Sequence, residues 1–274
     1  MKRFEGILIC TDLDGTLLSS DRSISGENLE AIEYFKANGG MFTIISGRVP
    51  VTARKICDIV KPNVPFGCIN GGGLYDVEKQ KFVWINTLPE EGMELVEHVD
   101  KYMPHIGIQV NTPENLYFCK DNSAMVKFRK LVGVPNLACH YKEVEPPISK
   151  VLFAHEDEEE LFKLIRLLDE HPKSHKFSFV RSEHDLYEIL PKGTDKSMAL
   201  AKLVEILGLD IKKTVAIGDY YNDIGMVRYA GVGISVANGC DEIKEIADYI
   251  TVSNNDHAIA RVIEDIEKGN IKVG

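Results

Sequence analysis

Asp12 and Asp14 stand two residues apart in Asp12-Leu13-Asp14-Gly15-Thr16, directly after the apolar run Gly6 to Cys10. Spaced i and i+2 on extended backbone, two carboxylates project to the same side. Gly15 lets the chain turn tightly and brings amide groups toward an anion. By itself this pentapeptide also reads as a surface turn with two solvated acids. Three further segments place polar groups just beyond an apolar run. Ser46-Gly47-Arg48 follows Met41 to Ile45, and a small hydroxyl, a glycine and a cation at a strand end suit an anionic oxygen. The plain alternative for Ser46 is a helix cap ahead of Pro50. Gly218-Asp219-Tyr220-Tyr221-Asn222-Asp223 follows Thr214 to Ile217 and adds two carboxylates, which otherwise suit a turn and a helix cap. Pro191-Lys192-Gly193-Thr194-Asp195-Lys196 leads into an amphipathic helix through Leu200, Leu203, Val204 and Leu207. Lys196 falls in its first turn, where the macrodipole disfavours a cation, so a nearby anion accounts for its place.

Together these residues make a Mg²⁺-dependent phosphate site. Magnesium takes a few hard oxygens and keeps waters, which carboxylates and a substrate phosphate supply. A carboxylate can attack phosphorus to give an aspartyl-phosphate. The rest of phosphoryl transfer is positioning and neutralisation of the equatorial oxygens, work for a serine, backbone amides, a lysine and a metal. Gly47, Arg48, Asn70 and Asn222 are the candidates for substrate contact, with a surface salt bridge as the alternative for Arg48. Several other features carry no site. His171 and His175 lie four apart, but Pro172 interrupts any helix there. Glu156 to Glu160 reads as a capped first helical turn. Asn70-Gly71-Gly72-Gly73 lacks the dinucleotide fingerprint.

The elements that must hold these groups follow from the pattern. Gly6 to Cys10 and Met41 to Ile45 read as buried strands, with Leu29, Ile32, Tyr34 and Phe35 at helical spacing between them and Gly39-Gly40 as the stop. That is a βαβ unit, hence a parallel sheet, in which ligands bind beyond the carboxyl ends of the strands. The rhythm returns from Thr214 to Ile266, with strands at 214–217, 232–235 and 249–252 and helices at 222–229, 243–247 and 257–266. Between these halves, strands at 106–110, 116–118, 151–154 and 177–180 mix with helices at 90–102 and 158–170. Strands that neighbour one another directly indicate an antiparallel sheet with helices on one face. Met93, Leu95, Val96 and Val99 form a core stripe, while Asn111, Glu183 and His184 read as loop residues able to cover a cleft. The expected fold class is α/β, a doubly wound, mostly parallel sheet interrupted by an α+β insert.

Composition sets the bounds. The 274 residues suit two domains at about 150 residues each. A net charge of −10 argues against a nucleic-acid partner, whose affinity rests on Lys and Arg at phosphates. Six cysteines without a Cys-x-x-Cys pair form neither a disulfide scaffold nor a zinc site. With neither a signal-peptide pattern nor a membrane-length apolar stretch, the expectation is a soluble, cytoplasmic protein without a membrane partner.

Asp-Leu-Asp-Gly-Thr at 12–16, Ser46, Lys196 and Gly-Asp-Tyr-Tyr-Asn-Asp at 218–223, in this order, resemble the four motifs of the haloacid dehalogenase (HAD) superfamily. Ile69 to Asp76 and the long insert before the lysine resemble its Cof-type branch with a C2B cap (subfamily IIB). The resemblance spans nearly the whole chain. It implies a HAD-like Rossmannoid core at residues 1–82 and 188–274 and a C2B-type cap at 83–187 that closes over substrate. It makes Asp12 the nucleophile and Asp14 the general acid/base, protonated at the moment of transfer. Ser46 and Lys196, the latter preferred over Lys192, would hold the phosphoryl oxygens. Mg²⁺ would be bound by Asp12, the backbone carbonyl of Asp14 and Asp219, with Asp223 at the edge of that shell and Asn222 touching phosphate. Tyr220 departs from the small residue or Asn usual after the motif-four Gly-Asp, which bears on the pocket rim. The implied activity is hydrolysis of a small phosphate monoester, a sugar phosphate or phosphorylated cofactor. A phosphomutase would interconvert isomeric phosphates without releasing phosphate. A non-enzymatic regulator would bind Mg²⁺ and a phosphometabolite without turnover.

Overall fold

The computed structural model describes residues 3–133 and 137–274. The chain divides into two compact units. Met1–Gly47, Lys55–Trp84 and Asp195–Gly274 form the first, and Arg48–Arg54 with Ile85–Thr194 form the second.

The first unit is built on five strands, β1 (Leu8–Thr11), β2 (Met41–Ile44), β11 (Thr214–Gly218), β12 (Val232–Ser235) and β13 (Tyr249–Ile250). They lie side by side in the order β13-β12-β11-β1-β2, every neighbouring pair parallel. Parallel strands need crossovers, supplied here by α1 (Gly26–Ala37), α2 (Pro50–Val60), α6 (Lys196–Leu207), α7 (Ile224–Tyr229) and α8 (Asp241–Ile246), with α9 (Ala258–Lys268) closing the chain. Leu-Ile-Cys-Thr of β1 is wholly buried, as a strand covered on both faces must be. Leu8, Cys10 and Ala216 pack with Leu200 and Leu203 of α6 and Met226 of α7, while α1 lies against α9. A smaller antiparallel sheet, β3 (Phe66–Cys68), β4 (Gly73–Asp76) and β5 (Lys81–Ile85), follows α2.

The second unit holds an antiparallel sheet in the order β7-β6-β8-β10-β9. Its strands are β6 (Gly107–Asn111), β7 (Leu116–Lys120), β8 (Lys150–Ala154), β9 (Phe177–Glu183) and β10 (Leu186–Pro191). Helices α3 (Gly92–Tyr102) and α5 (Glu158–Asp169) set Leu95, Val96, Val99, Leu161 and Leu164 against Ile108, Val110, Val151, Phe153 and Ile189. The remaining helix, α4 (Ser123–Val132), runs from an Asn122 cap to left-handed Gly133. The fold is therefore α/β, a doubly wound parallel sheet with an interposed α+β unit. No helix among the described residues is long and apolar enough to cross a membrane.

Five local readings of the sequence are corrected. Helix α2 was not anticipated, although Pro50 stands at its first position, the helical site that tolerates a missing N–H. Nor was α4, whose Asn cap and terminal glycine are standard signals. Strand β10 escaped because Glu188 in its middle is 2 % exposed, and a buried charge breaks the apolar pattern. Asn111 and Glu183 are not in loops; Asn111 ends β6, paired with Lys150 and Leu116, and is buried, while Glu183 ends β9, paired with Leu186.

Candidate active site

The parallel register aligns the carboxyl ends of β1, β2 and β11. Thr11 sits opposite both Ile44 and Ile217, so Asp12 leaves β1 level with the ends of its two neighbours. The ladder continues one step, with the Asp12 N–H donating to Ile217 O (2.9 Å) and the Ile45 N–H to Thr11 O (2.9 Å). Ser46 follows, buried, its N–H on Gly67 O and its carbonyl accepting from the Asn70 N–H at 3.1 Å.

Lys196 reaches this edge from the first turn of α6. Its side chain is wholly buried, and its Nζ lies 2.5 Å from Asp12 Oδ1 and 2.5 Å from Asp223 Oδ1. Burial pushes the ammonium's pKa down, but Asp12 and Asp223 outweigh it and hold it above the usual lysine value. The start of α6 is fixed by its cap, Asp195, which accepts from the N–H groups of Ser197 and Met198. Gly71, at φ +94°, gives the backbone room there. A Cβ on it would fall 1.8 Å from the Asp195 carbonyl oxygen.

Asp223 is held by donors on all sides. Besides Lys196, its Oδ2 accepts from the N–H groups of Asp219 (3.0 Å) and Tyr220 (3.1 Å). Those bonds close the turn after β11 and carry the chain through a short 3₁₀ segment into α7. Asp219 Oδ1 accepts from Thr16 Oγ1 at 2.7 Å. Thr16 is buried and was assigned no role from the sequence, although it ends the motif that contains Asp12. Gly15 adopts φ +86°, and a Cβ there would lie 2.4 Å from Asp219 Oδ2, so both conformation and space require glycine.

Asp12, Asp219 and Asp223 each present an oxygen within 4.8 Å of the others. Among the described residues, the Lys196 ammonium pairs with two of these three carboxylates, leaving an excess of negative charge in a buried place. The titration of the cluster reflects this. Burial raises the Asp12 carboxyl well above its ordinary value, Lys196 opposes the rise, and Asp223, Asp219 and Asp14 add to it. Burial, then Asp223, pushes Asp219 up to about 7, against the Thr16 hydrogen bond and Lys196. Clustered hard oxygens short of positive charge are a donor set suited to a divalent cation such as Mg²⁺.

Of the other candidates, Asp14 lies half-buried on the same loop, its side chain outside the three-carboxylate group. Asn222 Nδ2 donates to Asn70 Oδ1 at 3.1 Å, and a Cβ on Gly47 would come within 2.9 Å of that oxygen, so Gly47, Asn70 and Asn222 are neighbours. Asn70 has left-handed backbone, φ 49°. Arg48 belongs to the second unit, with Nη1 3.5 Å from the Thr52 carbonyl oxygen. Lys192, the rival of Lys196, is exposed. Tyr220 packs edge-on against the ring of Tyr221, whose hydroxyl donates to Glu242.

Comparison with known proteins adds three findings. Residues 9–263 match the haloacid dehalogenase-like hydrolase family. A 5-amino-6-(5-phospho-D-ribitylamino)uracil phosphatase of Bacillus subtilis, YcsE, is 30% identical over 260 residues, covering 93% of this chain and 94% of its own length. Among solved structures, a haloacid dehalogenase-like hydrolase from Bacteroides thetaiotaomicron superposes with a TM-score of 0.85 at 27% identity, covering 96% of this chain and 100% of that one. A HAD subclass IIB sugar phosphatase shares the fold, with a TM-score of 0.83 at 21% identity over 97% of this chain and 100% of its own.

Proposed function

From the premise that this chain belongs to the haloacid dehalogenase-like hydrolase family, and is thus a phosphoric monoester hydrolase, we propose that it cleaves a small phosphorylated metabolite through an aspartyl-phosphate on Asp12, with Mg²⁺ as cofactor. The observation that carries this reading is the buried Lys196 ammonium shared by Asp12 and Asp223, with Asp219 beside them. Asp12, Asp219 and the backbone carbonyl of Asp14 would hold the cation, and Asp223 would orient Asp219 and Lys196 through the hydrogen bonds described. Bound there, Mg²⁺ supplies positive charge for the carboxylates and for a phosphoryl oxygen.

In the first step an oxygen of Asp12 bonds to phosphorus while the bond from phosphorus to the ester oxygen breaks. Asp14 gives its proton to the departing alkoxide. In the second step Asp14 takes a proton from water, the water oxygen bonds to phosphorus, and the bond to Asp12 breaks to release inorganic phosphate. Lys196 keeps Asp12 aimed and lowers the cost of its negative charge in a buried setting. Ser46, Asn222 and the backbone N–H groups near Gly47 would take the phosphoryl oxygens, with Asn70 and Arg48 as further contacts to substrate. The second unit would act as a cap that reads the leaving group.

Relatives named for a phosphoribitylaminouracil and for sugar phosphates support a polyhydroxylated ester of metabolite size. The test is phosphate release from sugar phosphates, nucleotides, pyridoxal phosphate and flavin mononucleotide, with and without chelator. Chelator-sensitive release and a phosphorylated chain that disappears in Asp12→Asn are expected. Substantial Mg²⁺-dependent hydrolysis by Asp12→Asn overturns the covalent route, and interconversion of isomeric phosphates without net release makes the chain a mutase.

A further inference from the structure

Beyond β1 the chain folds back on itself, with the Leu17 N–H on Asp12 O at 3.3 Å and the Leu18 N–H on Leu13 O at 2.8 Å. The carbonyls of Gly15 and Leu18 take no part in those two bonds and are met instead by asparagines from far along the chain. Asn238 Nδ2 donates to Gly15 O at 2.8 Å. Asn254, which is buried, donates from Nδ2 to Leu18 O at 2.9 Å. The two asparagines are joined, because the Asn254 N–H donates to Asn238 Oδ1 at 2.9 Å. Ser253 Oγ donates to Asn254 Oδ1 at 3.2 Å, so the polar atoms of both amides are engaged.

A backbone carbonyl only accepts and a backbone N–H only donates. The side chain standing between the Gly15 carbonyl and the Asn254 N–H must therefore donate on one side and accept on the other, which neither a carboxylate nor an ammonium can do. That requirement also fixes which way the Asn238 amide faces. The loop that bears Asn238 grips the Asp219 turn as well. The Val236 N–H donates to Gly218 O at 3.2 Å and the Cys240 N–H to Asp219 O at 2.9 Å, and Asn238 lies between them in the chain. One loop thus holds Gly15 by a side chain and Asp219 by its backbone. Two dihedrals at each residue relate neighbouring peptide planes. With Gly15 at φ +86° and its carbonyl tied to Asn238, the Asp14 carbonyl has little freedom to swing.

We propose that Asn238 and Asn254 are positioning residues of the cation site, setting the turn that carries Asp12 and Asp14 at the spacing from Asp219 that one divalent cation requires. The proposal rests on the reading that Asp12, Asp219 and the Asp14 carbonyl hold the cation. Each asparagine acts through the backbone carbonyl it binds and not as a ligand. Magnesium demands near-ideal ligand geometry, so a loosened turn must be ordered anew when the cation binds, and affinity falls.

The test is calorimetric Mg²⁺ binding to the full-length chain, beside amide hydrogen exchange of residues 13–18 without metal. Asn238→Ala removes the donor to Gly15, and because Asn238 is exposed the melting temperature should change little. Its Mg²⁺ affinity should fall about fivefold, the factor that one net hydrogen bond supplies, and exchange in the turn should quicken. Saturating Mg²⁺ should return kcat to within about twofold of the parent, since no group at the reacting atoms is lost. Asn254→Ala should weaken Mg²⁺ binding likewise, with a larger loss of stability because it is buried. Asn255→Ala is the control. Its side chain bonds the N–H and hydroxyl of Ser20, beyond the turn, so its Mg²⁺ affinity should stay within about twofold of the parent. Unchanged Mg²⁺ affinity in Asn238→Ala, an equal loss in Asn255→Ala, or a kcat that saturating Mg²⁺ does not restore overturns the proposal. Because the primary readout is binding, a parent chain that binds Mg²⁺ but releases no phosphate from any ester defeats the hydrolase reading alone. A parent chain that binds no Mg²⁺ removes the cation site, and this proposal with it.

Discussion

Cation binding at the three-carboxylate cluster should depend steeply on pH, and Asp219 sets the range. Its carboxyl is pushed up to about 7 by burial and by Asp223, and a ligating carboxylate must be deprotonated. A group titrating at about 7 is roughly nine-tenths ionised at pH 8 and about one-hundredth at pH 5, so the apparent Mg²⁺ affinity should fall about ninetyfold between them. The sign follows from proton competition: acid protonates Asp219 and displaces the cation, and binding near neutrality releases protons. Thr16 tunes the range, because its hydroxyl donates to Asp219 Oδ1 at 2.7 Å and favours the ionised form. A hydrogen bond to a charged group is worth about 1.5–3 kcal/mol, so Thr16→Val should move the midpoint up by about 1–2 units. Calorimetric Mg²⁺ titrations from pH 5 to 8, in two buffers of different ionisation enthalpy, measure both the affinity and the released protons. An affinity flat across that range, or a midpoint indifferent to Thr16→Val, would refute the account of Asp219 as a carboxyl raised by its buried setting.

Three further outcomes are expected. Lys196→Met removes the ammonium from between Asp12 and Asp223 and should destabilise the metal-free chain by about 3–5 kcal/mol, read by urea denaturation. Because Asp12 is already raised by burial, its protonation relieves part of that loss, so the deficit should be smaller at pH 5.5 than at pH 8; an equal deficit at both contradicts the buried-charge explanation. Gly15→Ala meets a positive φ and the Asp219 carboxylate at 2.4 Å; a cost of about 1–2 kcal/mol and a raised Mg²⁺ requirement should appear together in thermal melts and activity titrations. Gly71→Ala faces the Asp195 backbone rather than a side chain end, so its melting temperature should fall further than that of Gly15→Ala.

The parallel sheet was legible because a strand covered on both faces reads as an apolar run, and the polar residues where that run stops mark the sheet edge. Leu8–Thr11 followed by Asp12, and Thr214–Gly218 followed by Asp219, show this directly. The oddly placed Lys196 also announced an anion, since a lysine opening a helix lacks any local reason to be there. Where a polar group is buried inside an element, the same logic misleads. Glu188 hid β10, its carboxylate meeting Lys150 on the next strand, and Asn111 passed for a loop residue because a buried polar side chain breaks the apolar pattern.

What the sequence by itself determined is the set of reactive groups and the elements that end in them, because local apolar periodicity and turn-forming residues act over a few positions. What only the tertiary structure decided is their partnership. Lys196 stands 184 residues from Asp12 and Thr16 203 from Asp219. Those contacts form because strand register and helix packing bring distant parts of the chain to one sheet edge, where burial raises the Asp12 and Asp219 carboxyls above their ordinary values.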